Sequence, residues 1–599
     1  MPALTAAPGE RSASRVWMRA LEKTAPIAKN PTRLLMHVLE EQAAQRGAQP
    51  AILSDAQSYT YEQLVARVHQ FAHWARLKGM RKGDVVGLLA PNSPEYFALW
   101  AGVSSQGVIV ALVNTQLQGE SLRHCVHAAQ PKLIVAHHGL AATVNAALAG
   151  DPQAPEVVTL DGPVQGFRSI EQELATCTTE PPLLLAGESV TIRDCALYIY
   201  TSGTTGFPKA ARVTHARILQ WAHWFAGMME VTPQDRMYSC LPMYHSIGGV
   251  LVPGAMLAGG GSLVVREKFS ASQFWDDLVR WDCTIFQYIG EFCRYLLQAA
   301  DQDHPPTHSI RLACGNGLSA GVWAAFQERF AIPQILEFYA ATEGNISLFN
   351  AEGKPGALGR VPPYLAHRFS PQLIRIDPET QEPARDASGL CIRCASSEAG
   401  EAIGKVLEDP SAIGSRFDGY TDVAATERKI LRNVFAQGDC WVRTGDLMRK
   451  DEQGFYYFVD RLGDTFRWKG ENVATSEVEA VLASLPGVVH ANVYGVQVPG
   501  CEGQAGMAAL VLEDGVHLQD LREAWRHRLP GYACPLFFRI VPAMDLTGTF
   551  KYSKSAWRKQ GIDPSLCADD IYMDHPEKGT LVPMDQDLYG QIQRGEIRL

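Results

Sequence analysis

The stretch Tyr198-Ile199-Tyr200-Thr201-Ser202-Gly203-Thr204-Thr205-Gly206-Phe207-Pro208-Lys209 constrains this chain more than any other. It begins as an apolar strand and passes directly into glycines and hydroxyl side chains, closed by a proline and a lysine. Glycines let backbone N–H groups approach an anion, hydroxyls add donors, and the lysine adds a mobile charge. The pattern therefore predicts a strand end that cradles phosphate, with Thr201, Ser202, Thr204, Thr205 and Lys209 as donors around Gly203 and Gly206. A Walker-type loop is excluded, because it needs lysine directly after its last glycine, and here Phe207 and Pro208 intervene. An ordinary surface loop rarely ends a strand with so many hydroxyls in succession.

At 599 residues the chain is too long for a single core. Its net charge of −10 argues against a general nucleic-acid binder, so a small anionic ligand has to be met by local donors. Cysteines are scattered, and only Cys391-Ile392-Arg393-Cys394 has a suggestive spacing. Without a second pair these read as structural thiols in a reducing compartment. Residues 1–30 mix charges and prolines and contain no apolar run of signal-peptide length, so secretion is not expected. Two uncharged runs, Tyr96 to Gly119 and Met237 to Val265, are long enough to cross a bilayer. Their breaks at Ser104-Ser105-Gln106-Gly107 and Gly259-Gly260-Gly261 fit buried helix–strand units better.

Between 35 and 150 helical and strand patterns alternate: a helix from Leu64 to Lys78, a strand from Asp84 to Leu89, a helix from Ser93 to Val103, then strands from Val108 to Val113 and from Leu133 to Ala136. Such alternation predicts a wound sheet with crossover helices. Residues 151–192, rich in proline and acidic groups, read as a connection into the phosphate loop. Further on, Met237 to Cys240 reads as a strand followed by a turn with Tyr244 and His245, and Thr284 to Ile289 as a strand ending at Gly290. Residues 373–447 suggest a smaller β-rich part that includes Asp418-Gly419-Tyr420 and ends at Arg443-Thr444-Gly445-Asp446. An aspartate after a tight Thr-Gly turn suits a pair of ribose hydroxyls. Beyond Asp460-Arg461 come a helix from Ser476 to Leu485, strands from His490 to Val496 and Met507 to Leu512, and a helix from Leu518 to Arg528. These compose a compact α+β domain able to fold alone.

The phosphate loop resembles the signature of the adenylate-forming superfamily, which includes the acyl-CoA synthetases. Tyr339-Ala340-Ala341-Thr342-Glu343-Gly344-Asn345, Phe466-Arg467-Trp468-Lys469-Gly470-Glu471-Asn472-Val473 and Thr547-Gly548-Thr549-Phe550-Lys551-Tyr552 resemble its fatty acid transport protein branch, the very-long-chain acyl-CoA synthetases. The resemblance runs from about Leu35 to the C-terminus.

It implies an α/β fold, with a large N-terminal domain of wound sheets and a β-rich subdomain, followed by a small mobile α+β domain. The boundaries expected are an extension at 1–30, an adenylating domain at 31–462 and a C-terminal domain at 463–599. The implied reaction joins a long- or very-long-chain fatty acid to coenzyme A through acyl-AMP, using ATP and Mg²⁺. The same branch is similar to ligases for bile acids and other sterol side-chain acids, and to fatty-acid uptake proteins that trap their cargo by esterification.

On that resemblance, Gly315, Asn316 and Gly317 hold adenine with Tyr339 and Ala340, and Asp446 and Arg461 meet the ribose and phosphate. Thr342 donates to the α-phosphate and Glu343 offers Mg²⁺ the hard oxygen that it prefers. Lys551 reaches the carboxylate in the first half-reaction. Trp224, His245, Tyr288 and Gly290 line the acyl path together with Trp221; Trp468, Lys469, Gly470 and Glu471 line the path for CoA; and Gly463 is the hinge between half-reactions. The expected location is cytoplasmic. Peripheral attachment to the inner face of a membrane and a homodimer are left open.

Overall fold

The computed structural model describes residues 13–182, 189–201, 207–299, 307–366, 368–369, 371–377, 380–406, 416–469, 471–499, 503–544, 554–597 and 599. The chain packs as two units. The first holds residues 1–371, 404–432 and 440–442, and the second holds 372–403, 433–439 and 443–599.

The first unit is built on two sheets. Its seven-stranded sheet runs Arg168–Ser169, Glu156–Leu160, Leu133–His137, Val85–Leu89, Ile109–Leu112, Cys195–Thr201, Lys209–Thr214. All neighbours are parallel except the last two, which form an antiparallel hairpin from Cys195↔Thr214 to Thr201↔Lys209. Runs such as Val85–Leu89 are apolar at every position because both faces of a parallel strand are covered. Residues 151–192 are more than a connection: Glu156–Leu160 and Arg168–Ser169 extend this sheet, and Ile170–Leu174 is helical. These strands are short and their flanks polar, so they carry a weak strand signal.

The eight-stranded sheet runs Ser347–Asn350, Ile335–Ala340, Leu312–Asn316, Ile285–Ile289, Arg236–Ser239, Ser262–Val265, Pro50–Leu53, Ser58–Thr60. It is antiparallel only at its two outermost pairs. Helix Pro94–Ser105 is buried at every residue, with Pro94 in its first turn and the Ser93 side chain accepting from the Tyr96 N–H. It packs on helix Tyr61–Leu77 at Gly102, where a Cβ would meet Val68 O at 2.3 Å. The apolar run from Tyr96 is thus buried helix and strand, and no helix among the described residues is long and apolar enough to cross a membrane.

Residues of the N-terminal extension also belong to this core. Helix Ala13–Thr24 buries Val16, Trp17 and Ala20 and lies against helix His215–Met228. The crossing is close at Gly227, where a Cβ would meet Ala20 Cα at 2.6 Å.

The second unit has a five-stranded sheet, Val488–Gln497, Gln504–Leu512, Phe537–Ile540, Asp570–His575, Thr580–Pro583, in that order. Helices Thr475–Ala483 and Leu518–Arg528 contribute Val478, Leu482, Leu521 and Trp525 to its core. The β-rich part pairs Gln372–Ile374 with Gly400–Lys405, and Cys440–Lys450 with Tyr456–Arg461. Gly463 lies within this unit, with φ 88° and open space where a Cβ would stand.

Candidate active site

The groups expected to meet ATP in the first unit follow one geometric rule: they lie beyond the carboxyl ends of parallel strands, where α/β sheets bind ligands. Cys195–Thr201 leads into the phosphate loop, Leu312–Asn316 into Gly317, and Ile335–Ala340 into Thr342 and Glu343. Ser202, Gly203, Thr204, Thr205 and Gly206 lie outside the described residues, so the structure places the two ends of that loop, Thr201 and Lys209.

Both ends converge on Tyr420. Arg212 N donates to Gly419 O (3.0 Å) and Thr421 N to Ala210 O (2.9 Å), so residues 419–421 lie along the hairpin strand Lys209–Thr214. The Tyr420 hydroxyl donates to Glu343 Oε1 (2.7 Å) and is hydrogen-bonded by the Thr201 side chain, and Lys209 Nζ lies 5.9 Å from the Tyr420 ring centre. Burial and the Glu343 carboxylate raise the Tyr420 hydroxyl far above its ordinary range, so it stays a donor. Sequence reading placed Asp418-Gly419-Tyr420 in the β-rich part; it belongs to the first unit, as the strut between phosphate loop and Glu343.

A second strut was missed altogether. Arg217, in the first turn of helix His215–Met228, is buried, and its Nη1 donates to the carbonyls of Thr342 (3.0 Å) and Gly344 (2.7 Å). Its Nη2 donates to Arg416 O, and its Nε lies 3.6 Å from Asp418 Oδ2. A planar fork of donors is the one side chain able to serve so many acceptors around a turn. Thr342 Oγ1 is also 3.0 Å from Ser246 Oγ.

The Gly315–Gly317 loop has its own support. Glu337 is buried, and its Oε1 accepts from Gly317 N (2.6 Å) and Leu318 N (3.2 Å), while the Tyr288 hydroxyl donates to Oε2. Burial raises the Glu337 carboxyl to about 8 against these donors. Gly315 has to be glycine, since a Cβ would meet Tyr288 O at 2.2 Å, and at Gly290 a Cβ would meet Gly317 O at 1.8 Å. Asn316 Oδ1 is buried without a hydrogen-bond partner among the described residues.

A cavity of about 150 Å³ adjoins the Thr342 turn. Ala340, Ala341, Thr342, Gly344 and Ser246 form one wall, and Trp221, Trp224, Phe225, Phe338, Phe349 and Phe369 supply an aromatic lining. Of the residues expected on the acyl path, Trp224 and Trp221 are on this lining. His245, Tyr288 and Gly290 are not on its lining: Tyr288 and Gly290 are packed beneath the Gly315–Gly317 loop, because the Tyr288 hydroxyl is spent on Glu337. Tyr339 is half-buried and Ala340 exposed at the end of their strand.

In the second unit, Asp446 and Arg461 are register partners in an antiparallel pair, with Arg461 Nε 3.6 Å from Asp446 Oδ1. Buried Glu401 fixes the turn before them: its Oε1 accepts from Gly445 N (3.0 Å), its Oε2 from Arg443 Nε (2.9 Å). Strands Phe466–Trp468 and Glu471–Val473 form a hairpin with Lys469 and Glu471 exposed at its tip and Trp468 buried. Lys469 Nζ lies 5.9 Å from the Trp468 ring centre. Gly470 and Lys551 lie outside the described residues. Burial raises the thiols of Cys391 and Cys394, the latter to about 12, as inert structural thiols require.

The profile of the AMP-binding enzyme family matches residues 39–393, and that of the AMP-binding enzyme C-terminal domain matches 477–551. Long-chain fatty acid transport protein 1 of Mus musculus is 39% identical over 576 residues, 93% of this chain and 87% of the mouse protein. The chain belongs to the AMP-binding enzyme family, in its long-chain fatty acid transport protein branch. Long-chain fatty acid transport protein 6 of Homo sapiens is 37% identical over 594 residues, covering 97% of this chain and 93% of that protein. Among solved structures, the anthranilate CoA ligase AuaEII in complex with anthranoyl-AMP has a TM-score of 0.74 at 21% identity, over 89% of this chain and 98% of that one. Mycobacterium tuberculosis fatty acyl CoA synthetase has a TM-score of 0.62 at 23% identity, over 88% and 98%. These similarities show the adenylate-forming fold.

Proposed function

We propose that the chain is an ATP-dependent acid–thiol ligase that activates a long- or very-long-chain fatty acid as its acyl-adenylate and passes the acyl group to coenzyme A. The observation that carries this reading is the continuity of the aromatic cavity with the Thr342 turn: one wall is apolar ring, the other is the backbone from Ala340 to Gly344. An acid whose tail fills the aromatic part presents its carboxylate beside Thr342, where an α-phosphate held by the same turn would be attacked. The names of the relatives, long-chain fatty acid transport proteins, support an alkyl tail.

Within this reading Thr201 and Lys209 hold phosphate oxygens with the loop between them. Asn316 Oδ1, a buried acceptor without a partner among the described residues, takes the adenine amino group. Asp446 accepts from the ribose hydroxyls. Glu343 fits a Mg²⁺ ion that is otherwise bound by phosphate and water, since one or two carboxylates are the usual protein share of such a site. Bound there, the ion would neutralise the triphosphate. Tyr420 donates to Glu343 Oε1 and so orients the carboxylate. Lys551 offsets the repulsion between carboxylate and phosphate. Two unit charges 4 Å apart at an effective dielectric of about 20 interact by about 4 kcal/mol, or ~10³ in rate.

The large domain at 31–462 would carry out adenylation, and the domain at 463–599 would bring first Lys551 and then the Lys469–Glu471 tip to the acyl group by rotation at Gly463. The test is pyrophosphate release and acyl-CoA formation with acids from octanoate to C24, with acetate, benzoate and cholate alongside. Activity that climbs with alkyl length is the expected result. A preference for acetate or benzoate overturns the fatty-acid assignment, and a preference for cholate transfers it to sterol side-chain acids.

A further inference from the structure

The cavity next to Thr342 is too small for the substrate proposed. At about 150 Å³ it encloses roughly one ring's worth of hydrocarbon. A second cavity of about 170 Å³ lies behind it, also within the first unit. Phe349 lines both. Trp17 lines the second and stands edge-on to three rings of the first: Trp224 (5.5 Å, 83°), Phe349 (5.6 Å, 81°) and Phe369 (5.5 Å, 69°).

We infer that Trp17 and Phe349 form a movable partition, and that a long acyl chain passes it into the second cavity. Helix Ala13–Thr24 then sets the chain length accepted. This rests on the acyl-CoA ligase reading above. Edge-to-face rings share no hydrogen bond across the contact, so rotation of these side chains about χ1 and χ2 would join the two spaces without breaking one. The backbone behind Trp17 is fixed, because helix Ala13–Thr24 approaches helix His215–Met228 so closely at Gly227 that no side chain fits there. The second cavity opens toward solvent at Ser14, Tyr364 and the part-exposed Arg360–Glu352 ion pair, and is otherwise lined, beyond the partition, by Ala13, Ala351, Pro362 and Pro363. Small and apolar residues suit the end of an alkyl chain. Each methylene buried beyond the partition contributes about 0.8 kcal/mol, or about fourfold in kcat/KM.

Two substitutions test this from opposite sides. Trp17→Ala removes the partition and is expected to raise the ratio of kcat/KM for a C24 acid to that for octanoate at least tenfold, read as pyrophosphate release. Ala13→Trp fills the second cavity from a residue that does not line the first, and is expected to lower the same ratio at least tenfold. If Trp17→Ala fails to fold, Ala13→Trp decides alone. An active wild type, with folded variants whose ratio stays within twofold of it, overturns the partition and leaves the ligase reading standing. A wild type that releases pyrophosphate with no acid of any length overturns the ligase reading, and the partition with it.

Discussion

In the first unit the turn carrying Thr342 and Glu343 is held from behind by buried polar groups, Arg217 on its carbonyls and Tyr420 on its carboxylate, while Glu337 holds the neighbouring Gly315–Gly317 loop. In the second unit Lys469 and Glu471 stand exposed at a hairpin tip, and Lys469 and Gly463 have φ of 52° and 88°. Arg461 is 37% exposed, and its partner Asp446 is 14% exposed. The first arrangement suits groups that must already be in place when charge develops, since preorganised donors cost nothing to reorient during the reaction. The second suits groups that are delivered and withdrawn, because a tip residue shifts without leaving a buried polar atom unpaired.

The sharpest way to break this contrast is Arg217→Met. It strands the carbonyls of Thr342, Gly344 and Arg416 and leaves Asp418 with Arg416 as its remaining charge partner, so a loss of about 3–5 kcal/mol is expected in the first unit. Lys469→Ala at the exposed tip is expected to cost under about 0.5 kcal/mol. Urea unfolding followed by hydrogen exchange in each unit measures both. Equal costs would mean that the Thr342 turn is no more fixed than the tip.

Lys551→Ala comes next, and tests delivery. Exchange of pyrophosphate into ATP in the presence of fatty acid should fall ~10³-fold, while thioester formation from supplied acyl-AMP stays near the wild-type rate. Equal loss in both assays would assign Lys551 to the fold or to the CoA path.

How much of this was legible in the sequence follows from the same physics. Helix Leu518–Arg528 was read with both ends in place, because its apolar stripe is regular and basic residues fill its last turn. Strand Val85–Leu89, and Leu133 to Ala136 within strand Leu133–His137, are continuous apolar runs, as parallel strands covered on both faces must be. The strand end at Thr201 was read from its hydroxyls and glycines, and the turn at Thr342 from the resemblance of the run Tyr339 to Gly344 to the family. Arg217 was not, since nothing local separates a buried arginine from a surface one: its partners Thr342, Gly344, Arg416 and Asp418 all lie far along the chain. Trp17 was overlooked among Arg15, Arg19, Glu22 and Lys23, although Val16, Trp17, Ala20 and Thr24 sit at helical spacing and are the buried face. Residues 1–30 were read only for a signal peptide, and the narrow apolar stripe among their charges was the signal that mattered.

The smallest expected effect is a difference in acid sensitivity between the units. Helix His215–Met228, which carries Arg217, Trp221 and Trp224, also carries His215 and His223, and burial lowers both imidazoles from 6.5 to about 4. Around His215 the Asp194 carboxylate opposes this and Lys82 adds to it; around His223, Arg33 and Lys23 add to it and Glu41 opposes. A depressed imidazole stabilises the folded state fully above the ordinary value and loses that contribution as pH falls from 6.5 toward 4, because only the unfolded chain takes up the proton. For His215 the loss is about 3 kcal/mol at the acid end of the window; for the less buried His223 it is smaller. The carboxyls of Asp460 and Glu479 in the second unit, like that of Glu337 in the first, are raised by burial, so their contribution is complete in acid and is lost only as pH rises; in the first unit Glu337 opposes the imidazole loss, so the expected change is local to helix His215–Met228. Acidification from pH 6.5 to 4.5 should therefore lower hydrogen-exchange protection, corrected for intrinsic rate, along His215–Met228 and leave Gln504–Leu512 protected. His215→Gln should flatten most of that slope. Loss of protection in step in both units, or an unchanged slope in His215→Gln, would show that acid acts on the first unit through other groups than the buried imidazoles of this helix.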